Sequence, residues 1–207
     1  MNGESLVALL DVALARLAES RDELRDLDAA LGDGDLGITV SKGCLAVRQR
    51  LAELSDPSPE EVLRVAGGAF ANANPSTMAA LVGGALLAGA KVVIDLDDVG
   101  PSEFVRFARA AAESVATRGK AQLGDKTMLD AIVPSVDALE RADGGDALKL
   151  MVVAARAAIE ETAQLQSRRG RAAWMGERSI GLADPGATAY LRLLEALETS
   201  RSTTEPS

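Results

Sequence analysis

The chain has 207 residues, a formal net charge of −9 and 47% hydrophobic residues, yet only 2% aromatic residues and no histidine. The missing histidine excludes a Ser-His-Asp triad, histidine metal ligands and a phosphohistidine relay, and the acidity argues against nucleic acid, whose phosphates it would repel. The lone cysteine, Cys44, excludes an internal disulfide and fits a reducing, cytoplasmic compartment, so chemistry falls to carboxylates, hydroxyls, lysines, arginines and backbone amides.

A core so poor in aromatics has to be built from Ala, Leu and Val, which favours closely packed helices over strands. The N-terminal stretch carries Glu4 and Asp11 and no basic region, so no signal peptide is expected. Nor is there a run of about 18 uncharged apolar residues to span a membrane. Leu6, Leu10, Ala13 and Leu17 line one face of a first helix, and Val40, Cys44, Val47, Leu51 and Leu54 form the seam of a second. Ser58, Pro59 and Glu61 read as N-cap, first helical position and capping-box partner. Further helices are expected over 59–72, 76–92, 102–118, 126–142, 146–168 and 185–199, with Pro101 and Pro185 in first turns and Asp184 as a cap. About eight helices joined by short loops predict an all-α fold of antiparallel neighbours, an up-and-down bundle or closed barrel. One domain over residues 1–199 and a disordered polar tail over 200–207 complete the expected layout.

The glycine, aspartate and proline clusters fall between these helices, where binding residues concentrate on a rigid scaffold. Asp28, Asp33 and Asp35 stand around a turn containing Gly32, Gly34 and Gly37, where three carboxylates can converge on a hard cation. An isolated Asp-Gly-Asp is ordinarily just a solvated turn. A calcium EF-hand fails, because the twelfth position counted from Asp33 is Cys44 and not a bidentate glutamate. The stretch from Gly119 to Thr127 nearly matches a phosphate loop, but Asp125 intervenes before Lys126 and no strand precedes it. Gly176–Gly181 is one residue too long for a nucleophile elbow. Arg168, Arg169, Arg171 and Arg178 form a cationic stretch that reads either as a solvated face or as a neutraliser of phosphate charge.

Taken in order, the strings LDAALGDGDLG, RGKAQLGDKTM and GRAAWMGERSIGLADPGAT resemble the dihydroxyacetone kinase L-subunit family, over nearly the whole chain to about Leu197. The resemblance implies an eight-helix antiparallel barrel with ADP or ATP at one end and two magnesium ions held by Asp28, Asp33 and Asp35. It implies phosphate contacts at Leu36, Gly37, Ile38, Thr39, Ser76 and Thr77, and positions around adenine at Gly119 and Met128. It further implies a nucleotide contact at Arg171 and a closing loop at Asp184, Pro185 and Gly186. The chain departs from the family twice. Leu36-Gly37-Ile38-Thr39 stands where the family commonly has His-Gly-x-Asn, and Asn74-Pro75-Ser76-Thr77-Met78 replaces a Gly-Gly-x-Ser-Gly segment.

The function implied is a phosphotransferase active only with a K-type subunit that holds dihydroxyacetone, with no catalytic residue on this chain beyond the metal-phosphate site. The phosphoryl source, free ATP or a phosphotransferase-system protein recharging bound ADP, stays open, as do a homodimer and another short ketose such as erythrulose. Two other readings stand beside it: the nucleotide domain of a fatty acid kinase, and a non-catalytic nucleotide sensor that binds a regulator.

Overall fold

The computed structural model describes residues 1–142 and 146–204, and among these the chain is helical without a strand. The α-helices are α1 (Gly3–Glu19), α2 (Arg21–Leu31), α3 (Leu36–Leu51), α4 (Pro59–Ala73), α5 (Thr77–Ala90), α6 (Pro101–Gly119), α7 (Leu129–Glu140), α8 (Ala147–Thr162) and α9 (Pro185–Thr204). From α3 onward each packs against the next, and α9 returns to α1, which also packs on α3. The ring therefore has eight members, as expected, with α2 the continuation of α1 beyond a break at Ser20, packed on α3. The break forms because Ser20 leaves helical dihedrals (ψ 5°) and its N–H turns to the Leu17 carbonyl.

Caps fix most of the starts. Asn2 Oδ1 accepts from Ser5 N–H, Ser58 Oγ from Glu61 N–H and Ser76 Oγ from Ala79 N–H, each satisfying a first-turn donor. At α4 only this half of the expected capping box forms, the Glu61 carboxylate lying 3.6 Å from Arg64 instead.

Two apolar clusters meet along α9. One joins Ala112, Val115, Leu129, Val136, Met151, Ala155 and Leu191 across α6–α9. The other joins Leu17, Leu24, Val40, Val47, Val62, Phe70 and Ala189 across α1–α5 and α9. Cys44 is buried in the second, its thiol pushed up to about 12 by that burial, and takes no part in chemistry.

Three expected boundaries differ. Lys126 takes a left-handed φ of 60°, so α7 begins at Leu129. α8 stops at Thr162, not residue 168. The carbonyls of Ala163 and Leu165 accept from the Lys126 ammonium, and a 3-10 segment, Arg171–Ser179, follows. α9 runs to Thr204, well into the segment expected to be a disordered tail, with Ser200 buried and its hydroxyl on the Ala196 carbonyl. Residues 205–207 of that tail lie outside the described residues.

Candidate functional site

An up-and-down ring presents the N-termini of alternate helices at one end. Here α3, α5, α7 and α9 all start around a single cavity of about 480 Å³, and α2 and α6 end there. Unpaired N–H groups and the positive ends of helix dipoles make such a cavity suited to an anion. In a chain of net charge −9, this is where phosphate can be tolerated.

Asp28 and Asp35 line this cavity, and Asp33 stands between them in sequence, outside the lining. Asp28 closes α2, Gly34 turns the chain with φ +74°, and Asp35 precedes α3. One oxygen from each of Asp28, Asp33 and Asp35 lies within 4.8 Å of the others. The Leu36 N–H donates to Asp28 Oδ2 at 3.1 Å, tying the cluster to the start of α3. Burial raises the Asp28 pKa; the Leu36 bond opposes this, and the charges of Asp33 and Asp35 push it up further. An all-oxygen, carboxylate-rich set with no nitrogen or sulfur donor suits a hard divalent cation such as magnesium. Gly37 permits this geometry, since a Cβ there would lie 2.1 Å from the Arg21 carbonyl oxygen of α2.

Of the other sequence-predicted residues, Leu36, Ser76, Thr77, Gly119, Met128, Arg171, Asp184, Pro185 and Gly186 all line the cavity. Gly37, Ile38 and Thr39 do not. Gly37 faces α2, Ile38 is 37% exposed, and Thr39 is buried with its hydroxyl accepting from Asn74 Nδ2 at 2.8 Å. That bond links α3 to the loop before α5. Ser76 Oγ uses its acceptor capacity on Ala79 N–H, which leaves its proton for a ligand.

Asp184 caps α9 by accepting from Ala187 N–H at 2.7 Å. Burial is the main reason its carboxyl is pushed up to about 6; the Ala187 bond pulls it down, and nearby Asp130 adds to the rise. The loop that resembles a phosphate loop does something else. Lys126 is buried, and its ammonium donates to the carbonyls of Ala163, Leu165 and Ser179 at 3.0, 2.8 and 2.6 Å. Asp125, also buried, accepts from Arg169 Nε at 3.0 Å and from Gln122 N–H at 3.1 Å. Burial would raise the Asp125 pKa, but these donors outweigh it and the net shift is downward. Together Asp125 and Lys126 fasten the segment 163–179 over the cavity mouth.

That segment supplies Arg169, Gly170, Arg171, Ala172 and Trp174 to the lining. Of the cationic stretch, Arg169 and Arg171 reach the cavity. Arg171 pairs with Asp33 and lies 3.6 Å from Asp35. Arg178 instead sits 3.7 Å from Met175 Sδ. Sequence reasoning missed Trp174 in the lining and the fastening role of Lys126, and left Arg169 between a solvated face and a neutraliser of phosphate. Trp174 is 84% exposed and is the chain's one tryptophan, a signal that could have singled it out.

The model of the DAK2 domain matches residues 30–199, and the chain belongs to that family. Among its relatives, L-erythrulose 1-kinase of Mycolicibacterium smegmatis is 37% identical over 198 residues, covering 93% of this chain and 35% of that protein. The ADP-binding subunit DhaL of PEP-dependent dihydroxyacetone kinase 1 from Listeria innocua is 33% identical over 182 residues, 88% of either chain. The crystal structure of the dihydroxyacetone kinase from C. freundii in complex with AMP-PNP and Mg2+ superposes with a TM-score of 0.78 at 24% identity, over 95% of this chain and 34% of that one. The chain thus spans 35% of the erythrulose kinase and most of the Listeria subunit. Among the described residues no helix is long and apolar enough to cross a membrane.

Proposed function

We propose that this chain is the nucleotide-binding, phosphoryl-transferring component of a short-ketose kinase, working in the cytoplasm with a separate K-type subunit that holds the ketose. One observation carries the reading. Asp28, Asp33 and Asp35 have oxygens within 4.8 Å of one another, and two of them, Asp28 and Asp35, line the cavity at which α3, α5, α7 and α9 start. Cation-binding oxygens beside several sets of free amides suit a nucleotide's phosphate chain better than an apolar metabolite.

Asp28, Asp33 and Asp35 are the magnesium ligands, for two ions in the form the resemblance implies. Bound magnesium would neutralise charge on the terminal phosphates of ADP or ATP. The amides of Gly37 and Ile38 at the start of α3 and the hydroxyls of Ser76 and Thr77 donate to phosphate oxygens, Leu36 lies beside them with its N–H on Asp28, and Thr39 holds the second loop in place through Asn74. Gly119 and Met128 flank the base, Arg171 meets phosphate, and Asp184, Pro185 and Gly186 close over the nucleotide. Phosphoryl transfer depends on positioning and charge neutralisation, so no catalytic base is assigned to this chain.

The names of the relatives support this reading: ADP-binding for the Listeria subunit, and AMP-PNP with Mg2+ in the C. freundii complex. The M. smegmatis relative is named for L-erythrulose, so erythrulose stands beside dihydroxyacetone as substrate. The test is transfer. With a K-type subunit and ATP, or a phosphotransferase-system donor, ketose phosphate should form only when both subunits are present. A chain that binds magnesium-ADP but transfers nothing with any K-type subunit and either donor would be a nucleotide sensor instead.

A further inference from the structure

Among the described residues, the ion pairs made to the acidic cluster come from Arg171, which pairs with Asp33 and lies 3.6 Å from Asp35 Oδ2. A cation bound by these oxygens needs the positions that the guanidinium takes, and two positive groups that close repel each other. The two attachments of this segment differ in strength. On one side Asp125, with 4% side-chain exposure, holds Arg169, and Lys126 holds the carbonyls of Leu165 and Ser179. On the other, Arg171, Asp33 and Asp35 are 53, 51 and 45% exposed, and exposed pairs contribute little to stability. The segment is therefore fastened firmly at one point and weakly at the other, and the weak point is made to the carboxylates that would ligate metal.

Resting on the magnesium reading of that cluster, we propose that Arg171 is a positioning residue that acts as a latch. It holds Asp33 and Asp35 together and keeps the Arg171–Ser179 segment against them. It gives way when a divalent cation takes the same oxygens, and the freed guanidinium then faces phosphate. Trp174 lies three residues along the same segment and reports its position.

The experiment uses the full chain freed of nucleotide, titrated with magnesium chloride alone by calorimetry and by tryptophan emission, for wild type, Arg171→Gln and Arg171→Lys. Magnesium alone should bind Arg171→Gln about fivefold more tightly than wild type, the scale of one exposed ion pair removed from competition. Arg171→Lys, which keeps the charge, should fall between them. Magnesium-ADP should bind Arg171→Gln more weakly than wild type, opposite in sign to the metal alone. Trp174 emission should shift with magnesium in wild type and stay put in Arg171→Gln. Equal or weaker magnesium affinity in Arg171→Gln, or a wild-type emission unmoved by saturating magnesium, overturns the latch; if magnesium-ADP still binds wild type, the nucleotide reading survives. A wild type that binds neither magnesium nor magnesium-ADP overturns both.

Discussion

The Lys126 ammonium donates to the carbonyl of Ser179 at 2.6 Å, joining the loop before α7 to the end of the segment that roofs the cavity, 53 residues later. With the carbonyls of Ala163 and Leu165 it completes a three-acceptor shell around a buried charge. A loop whose sequence falls just short of a phosphate loop is thus a staple, and the site beneath it depends on that staple.

Replacing Lys126 with Met removes the ammonium from three carbonyls, leaving that of Leu165 unpaired while those of Ala163 and Ser179 keep the N–H groups of Gly181 and Leu182. Loss of such buried partners costs roughly 3 kcal/mol, which for a chain of this size lowers Tm by about 10 °C. Calorimetric unfolding checks it, and nucleotide affinity should fall with stability because the segment carrying Arg171 loosens.

Asp184 makes a pH prediction. Its folded pKa, about 6, lies above the ordinary aspartate value of 3.8, so the native state holds a proton that the unfolded chain releases. This group's contribution therefore turns unfavourable as pH rises from about 3.8 to about 6, and the penalty is complete above that. Asp184→Asn should gain stability relative to wild type across this window and hold that gain at higher pH. Urea unfolding of both proteins from pH 4 to 8 reads the difference; a difference independent of pH would contradict it.

Thr39→Val keeps shape but removes the acceptor for Asn74 Nδ2. The loss should cost about 1 kcal/mol in stability. Through displacement of the Ser76 loop it should weaken magnesium-ADP binding more than the stability change alone would.

Asp33→Asn should weaken magnesium-ADP binding on the order of 100-fold, the upper scale for disturbed metal sites, while the fold stays intact because Asp33 is exposed. Equilibrium titration reports the affinity and circular dichroism the fold. Unchanged affinity would remove Asp33 from the ligand set.

Much of the barrel was legible because helix periodicity, prolines in first turns and Ser or Asp caps are local signals. Ser58, Ser76 and Asp184 all cap where a reader of the chain would place a helix start or loop. The grouping of Asp28, Asp33 and Asp35 was legible too, since the eight residues 28–35, with glycines at 32 and 34, bring the carboxylates together. What stayed hidden is tertiary. α8 looks as if it continues to residue 168, but Lys126 takes the carbonyl of Ala163 and Gly181 N–H takes it as well. Nothing local marks that. The break at Ser20 is equally silent, because Ala18 and Glu19 before it and Arg21, Asp22 and Glu23 after it are all tolerable helix residues. Thr39 was expected on phosphate from the family resemblance, but helical phase turns it inward, toward Asn74.

The most direct test is thermal unfolding of nucleotide-free protein with ADP, with and without magnesium, beside Asp35→Ala. Ligand at about 100 times its dissociation constant stabilises by roughly 2.7 kcal/mol, a Tm shift on the order of 5–10 °C for this size. The account predicts that shift only when both magnesium and Asp35 are present. A shift that ignores magnesium or survives Asp35→Ala, or no shift at all, would contradict it.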